Sequence, residues 1–425
     1  MRSRFEIMAP AGNFECLNAA LQGGADSVYF GIGRLNMRSH SANNFVPEDL
    51  QQICDICRGS GVKTYMTLNI TLYDEDLEPM REALAAARDA GVSAIIASDM
   101  AAIAEAGRLG LEVHISTQLS ISNIESLRFY SQFADVVVLA RELRLDQAKA
   151  IHDALLAENI CGPSGRLMQI EMFCHGALCM AVSGKCYLSL HEYNASANRG
   201  SCYQLCRHAY EVTDIETGRQ LQVDNKYIMS PKDLCTIEFL DKMADAGVSV
   251  FKIEGRARSG EYVKTVTRAY REAADAIEEG RFSSELGASL KERLATVFNR
   301  GFWDGYYQGA RLGEWSEVYG NQATRTKVYL GRVTNYYSRL GVAEIYMETG
   351  SFRTGDTLLI CGGTTGVVEA VPSEIRLDDA HILEEAAKGD ICSIPVPQQV
   401  RRGDKVYLFV TPDEARNLPT SRQPL

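Results

Sequence analysis

Along the first two thirds of the chain, short apolar runs alternate with segments whose apolar positions recur every three or four residues. The runs at 5–10, 27–31, 62–69, 92–97, 111–116, 135–140, 167–173 and 248–253 read as strands. Between them, 47–58, 76–90, 101–109, 123–133, 145–158 and 232–246 read as helices. Strands that are apolar throughout imply a parallel sheet covered on both faces. Eight such strands predict an α/β fold, a (β/α)8 TIM-like barrel over residues 1–310, with function gathered in the loops that follow the strands.

Helical periodicity continues through 260–279 and 286–298, and the glycine- and aromatic-rich stretch 299–309 ends it. Residues 311–325 read as a linker. From 326 the pattern changes to short strands at 327–334, 341–347, 356–360, 366–370, 390–394 and 404–409. Gly-Asp pairs at Gly355-Asp356, Gly389-Asp390 and Gly403-Asp404 place turns before apolar runs, so 326–412 predicts a small C-terminal all-β barrel.

Composition narrows the partners and the compartment. A net charge of −11 argues against a surface that coats nucleic acid, although it leaves room for a local basic site. No apolar run reaches the roughly eighteen residues of a membrane span, and the N-terminus passes into a strand with no signal-like apolar region. Twelve cysteines in that setting point to a reducing, cytoplasmic compartment, with thiols that bind metal or fill the core. Cys16, Cys54, Cys57, Cys161, Cys361 and Cys392 lie in periodic or apolar surroundings and read as core fillers.

The exception is the stretch 168–207, which holds Cys174, Cys179, Cys186, Cys202 and Cys206 among glycines and small polar residues. It opens a Cys-rich loop, 174–226, that follows the seventh strand at the functional face of the barrel. The spacing lacks the paired knuckles of a structural zinc site, and four scattered thiolates suit an iron-sulfur cluster equally well. A C-x3-C-x2-C motif is absent, because Ala209 stands at its third position. Polar residues at other strand ends share the predicted rim: Asn69, Ser98, Asp99, Ser116, Gln118, Arg141, Glu142, Glu171, His175, Lys252, Glu254 and Arg256. No H-E-x-x-H, G-x-S-x-G or G-x4-G-K-[ST] pattern occurs.

The run Glu171-Met-Phe-Cys-His-Gly176-Ala-Leu-Cys179, continuing to Gly184-Lys-Cys186-Tyr-Leu-Ser189, closely resembles the signature of peptidase family U32, the collagenase-like proteases. Met8 to Gly12, Gly24 to Tyr29, Asn194 to Arg207, Met229 to Leu234 and Lys252 to Arg256 extend the likeness over about three hundred residues. The resemblance implies either proteolysis or, as in the family's RNA-directed branch, hydroxylation of tRNA wobble uridine to 5-hydroxyuridine. That branch implies a [4Fe-4S] cluster, prephenate as a co-substrate, tRNA as partner, and an electron donor or iron-sulfur assembly proteins. A third implied role is a non-catalytic, cluster-bearing partner of a separate hydroxylase. Carried over residue by residue, Cys179, Cys186 and Cys202 become ligands, with Cys206 the fourth and Cys235 in reserve; Cys174 is structural. His175, Glu171, Lys252 and Glu254 are the candidate catalytic residues, and Asn69, Gln118, Arg141 and Arg256 the candidate anion-binding set. The closing strands resemble the second-domain barrel of translation elongation GTPases, which implies contact with RNA or tRNA ends.

Overall fold

The computed structural model describes residues 4–40, 44–211, 213–218, 229–309, 313–316, 320–377 and 381–418. Its first half is the expected barrel. Strands β1 (Glu6–Pro10), β2 (Ser27–Gly31), β3 (Lys63–Leu68), β4 (Ala94–Ala97), β5 (Glu112–Ile115), β6 (Val136–Val138) and β7 (Gln169–Ala177) pair in sequence and in parallel. Two more strands follow, β8 (Asp233–Cys235) and β9 (Val248–Ile253); β9 closes the ring by pairing with both β1 and β7. Helices such as Phe14–Gln22, Leu77–Ala90 and Gly260–Glu278 cover the outside. Asn13, Asp99 and Asn123 start three of the helices by accepting a backbone N–H in the first turn.

The connection between β7 and β9 differs from the sequence reading. The segment 232–246 is not one helix: β8 occupies its start, antiparallel to the end of β7, and only Leu240–Asp245 is α-helical. Asp233, buried between Arg258 and Arg300, and Thr236, which bonds to the Cys174 carbonyl, hold that stretch extended. The short strand β10 (Phe302–Trp303) then pairs with β8. The expected linker also has structure where it is described, since Trp315 bridges to Pro231 and Ser316 is fully buried.

The C-terminal part is an eight-stranded antiparallel sheet around its own core, which includes Leu330, Val333, Ile345, Met347, Ile360 and Val406. Short strands at Ser351–Arg353, Ile375–Arg376, Ile382–Leu383 and Glu385–Ala387 add to those read from the sequence. The sheet docks on the outer helices through Gln22, which bonds to the backbone of Thr365 and Val367, and through the Lys327–Glu261 ion pair at 2.9 Å.

Inside the ring, side chains alternate inward and outward along each strand. Met8, Tyr29, Tyr65, Ala94, Ile96 and Val250 form a small inner core. The rest of the ring's charged interior is a chain of polar groups. Lys252 Nζ lies 2.6 Å from Glu171 Oε1, Glu171 Oε2 faces His114 Nδ1 at 3.7 Å, and His114 Nε2 lies 3.3 Å from Glu112 Oε1. Glu171 and His114 are almost completely buried.

Candidate functional site

The loops at the C-terminal ends of the strands enclose a cavity of about 210 Å³. All four favoured cysteines line it: Cys179, Cys186, Cys202 and Cys206. So do Asn69, Gln118, Arg141, Lys252, Glu254 and Arg256. Asn69 Nδ2 donates to Ser116 Oγ and Gln118 Oε1, which ties the ends of β3 and β5 together.

Glu171, His175 and Cys235 lie elsewhere. Glu171 sits one layer below, as the buried carboxylate under Lys252. Burial pushes its pKa up, but Lys252 and His114 outweigh burial and hold it ionised. For His175 the cause is a register shift in β7 between Phe173 and His175. A bulge turns the following side chains relative to strict alternation, so Phe173 faces the cavity while His175 packs against Tyr262, Tyr270 and Phe302. Gly176 makes the adjoining close approach possible: its φ is +104°, and a Cβ there would stand 2.5 Å from the Glu254 carbonyl. Cys235 is buried behind β7, where its thiol is pushed up to about 11 by burial.

Burial, helped by Arg258, lowers the His175 pKa from its ordinary value to about 3, so the ring is neutral in the folded chain. A depressed imidazole contributes stability above the unfolded pKa near 6.5 and loses it as the pH falls towards 3. Between pH 6.5 and 5 this one group is expected to remove about 2 kcal/mol of unfolding free energy. Urea titrations at both pH values check this: His175→Phe should flatten the slope, and an unchanged slope would rule the group out as its source.

Charge is the cavity's second feature. Arg38, Arg141, Arg207, Lys252, Arg256, Arg258 and Arg300 line it, against Glu254 as the sole carboxylate among the described lining residues. In a chain of net charge −11 this is a strong local reversal. Burial alone would raise the Glu254 pKa, but Arg38 at 2.7 Å, with Arg141 and Arg256, holds it at about 2. Burial lowers Arg256 to about 10, and its guanidinium bonds to Asn36 Oδ1 and Thr67 Oγ1. Arg141 stacks 3.7 Å over the Phe173 ring, and its buried Nε has no hydrogen-bond partner among the described residues.

Sequence reasoning missed Arg38, Arg207, Arg258 and Arg300 as lining residues. Arg258 follows Arg256 by two residues in Lys252-Ile-Glu-Gly-Arg-Ala-Arg258, which was a usable signal. Arg38 and Arg300 sit in loops that look like ordinary polar surface.

Burial pushes the Cys206 and Cys186 thiols up, and the neighbouring cavity cysteines add to it: Cys206 feels Cys179, Cys202 and Cys186, and Cys186 feels Cys179 and Cys202. Among the described residues, however, no three His, Cys, Asp or Glu side chains gather as a single metal ion requires. Four cysteines around one cavity are the donor set that an iron-sulfur cluster takes, one thiolate per iron. The cationic lining also suits an anionic thiolate-bound centre. No histidine is among the described lining residues.

Comparison with known proteins finds relatives over most of the chain. The chain is 59% identical over 405 residues to a protein named Collagenase from Porphyromonas gingivalis strain W83, covering 95% of this chain and 98% of that one. It is 33% identical over 365 residues to tRNA hydroxylation protein P1 of Bacillus subtilis, covering 84% and 83%. It is also 37% identical over 318 residues to a 23S rRNA 5-hydroxycytidine synthase of Escherichia coli, covering 73% of this chain and 46% of that one. The family model described as Peptidase family U32 matches residues 12–317, and with these relatives it makes the chain a member of peptidase family U32.

Proposed function

We propose that this chain is an RNA-modifying enzyme that hydroxylates the wobble uridine of tRNA to 5-hydroxyuridine, using a [4Fe-4S] cluster held by Cys179, Cys186, Cys202 and Cys206. The observation that carries the reading is the cavity itself, in which four thiols face seven cationic side chains. Relatives named for hydroxylation of tRNA and of ribosomal RNA support it. When bound, the cluster supplies one-electron chemistry.

The chain's own residues have separable tasks. Arginine forks bind carboxylates and phosphates in two-pronged fashion, so Arg141, Arg256 and Arg258 suit a small dicarboxylate such as prephenate as co-substrate. Lys252, paired with Glu171, presents an ammonium at the cavity floor. Asn69 and Gln118 offer amide groups on the opposite wall.

The second reading is proteolysis, favoured by the relative named Collagenase. The lack of a histidine in the described lining weighs against it. Nucleoside mass spectrometry of tRNA from cells lacking the gene separates the two: loss of 5-hydroxyuridine and its derivatives is expected. Unchanged hydroxyuridine together with gelatin cleavage by the purified chain would favour the peptidase.

A further inference from the structure

A second concavity, about 490 Å³, lies against the outer side of the cysteine segment. The wall between it and the cysteine cavity is one residue thick. Ser189, Ala197, Cys202 and Gln204 face the cavity, whereas their neighbours Leu190, Ser196, Ser201 and Tyr203 line the outer cleft.

Aromatic exposure is concentrated there. Tyr73 and Tyr203 line the cleft, Tyr193 packs against Tyr203, and each of the three is at least half exposed. Water-facing tyrosines cost apolar hydration, and three around one cleft mark a surface that meets something. They are also held in place. The Tyr193 and Tyr203 rings lie 5.0 Å apart, His40 stands 6.2 Å from Tyr203 on the other side, and the Arg199 guanidinium sits 3.8 Å over the Tyr73 ring. Arg199 is locked by Asp76 at 2.6 Å, and Asn198 bonds to Thr71 Oγ1. The cysteine segment is thereby tied to the loop after β3, and the His40 N–H donates to the Gly200 carbonyl to add the loop after β2.

From this geometry we infer that the tyrosine-lined cleft is a stacking site for an unpaired base of RNA next to the nucleotide that enters the cysteine cavity. The inference rests on the reading of RNA as substrate. Flat rings with adjacent guanidinium groups are the surface on which single-stranded bases stack, and Arg34, 70% exposed at the cleft edge with one guanidinium nitrogen 3.5 Å from Asp76, turns the rest of its fork to solvent, where a backbone phosphate can meet it. A protein partner would use the same rings as apolar anchors, but Arg34 and Arg199 stand beside them against Asp76 as the one carboxylate among the described lining residues, and that excess of positive charge complements a polyanion better.

Binding of a fluorescein-labelled oligouridylate, followed by polarisation across a salt series, tests this. Tyr203→Ala and Tyr193→Ala should each weaken binding at least about fivefold without changing the salt slope, because stacking releases no counterions. Tyr203→Trp should retain binding, and Arg34→Ala should lower the slope by about one. The inference is overturned if both alanine variants bind as tightly as the wild type, if only Arg34→Ala weakens binding, or if the wild-type chain binds no oligouridylate. Because the assay uses no turnover, loss of tyrosine dependence and loss of hydroxylation are separate results.

Discussion

Cys206→Ser is expected to bleach the anaerobically reconstituted protein and lower its iron well below the roughly four per chain of a [4Fe-4S] centre. Cys235→Ser is expected to leave colour and iron unchanged. Both residues follow the signature at plausible distances, so the sequence alone left them as rivals. Their places differ. Cys206 lines the cavity with Cys179, Cys186 and Cys202. Cys235 is buried near Cys174, whose own thiol is pushed far up by burial, and neither is among the described residues that line the cavity. Iron assay and visible absorption decide the matter. A colourless Cys235→Ser with a brown Cys206→Ser would reassign the fourth ligand, and a wild type that takes up no iron would remove the cluster.

Lys252→Met should destabilise the fold by about 3–5 kcal/mol, since it strands a buried carboxylate. Glu171 is completely buried and Lys252 nearly so, and their 2.6 Å contact is the strongest link in the polar chain through the barrel. His114 at 3.7 Å offers only partial compensation. The double change Lys252→Met with Glu171→Gln removes the charge as well as its partner and should cost less than the single change. Chemical unfolding of the wild type, both single variants and the double variant measures the coupling. Strictly additive losses would mean that the two groups do not act as a pair.

The barrel was legible because its strands are buried on both faces and so carry unbroken apolar runs, as at 92–97 and 248–253. The thiols were legible because cysteine is scarce and glycine-spaced cysteines are scarcer. What stayed hidden depended on register. The shift after Phe173 removes His175 from the cavity, and nothing in Phe173-Cys174-His175 announces a bulge. His114 lies inside a run that reads as plain strand, yet it bridges two carboxylates in the barrel interior. Burial and the attraction of the Glu112 and Glu171 carboxylates oppose each other there, and the carboxylates win, so its pKa is raised. The arginines of the cavity come from loops distant in sequence, and only closure of the ring brings Arg38, Arg141 and Arg300 to one wall.

The most direct test is to restore the gene to cells that lack it, as wild type, Cys206→Ser or Cys235→Ser, and to measure 5-hydroxyuridine derivatives in their tRNA by mass spectrometry. Wild type and Cys235→Ser should return the modified nucleosides, and Cys206→Ser should not. Restoration by Cys206→Ser, or failure of the wild type to restore them, would contradict a cluster-dependent RNA hydroxylase.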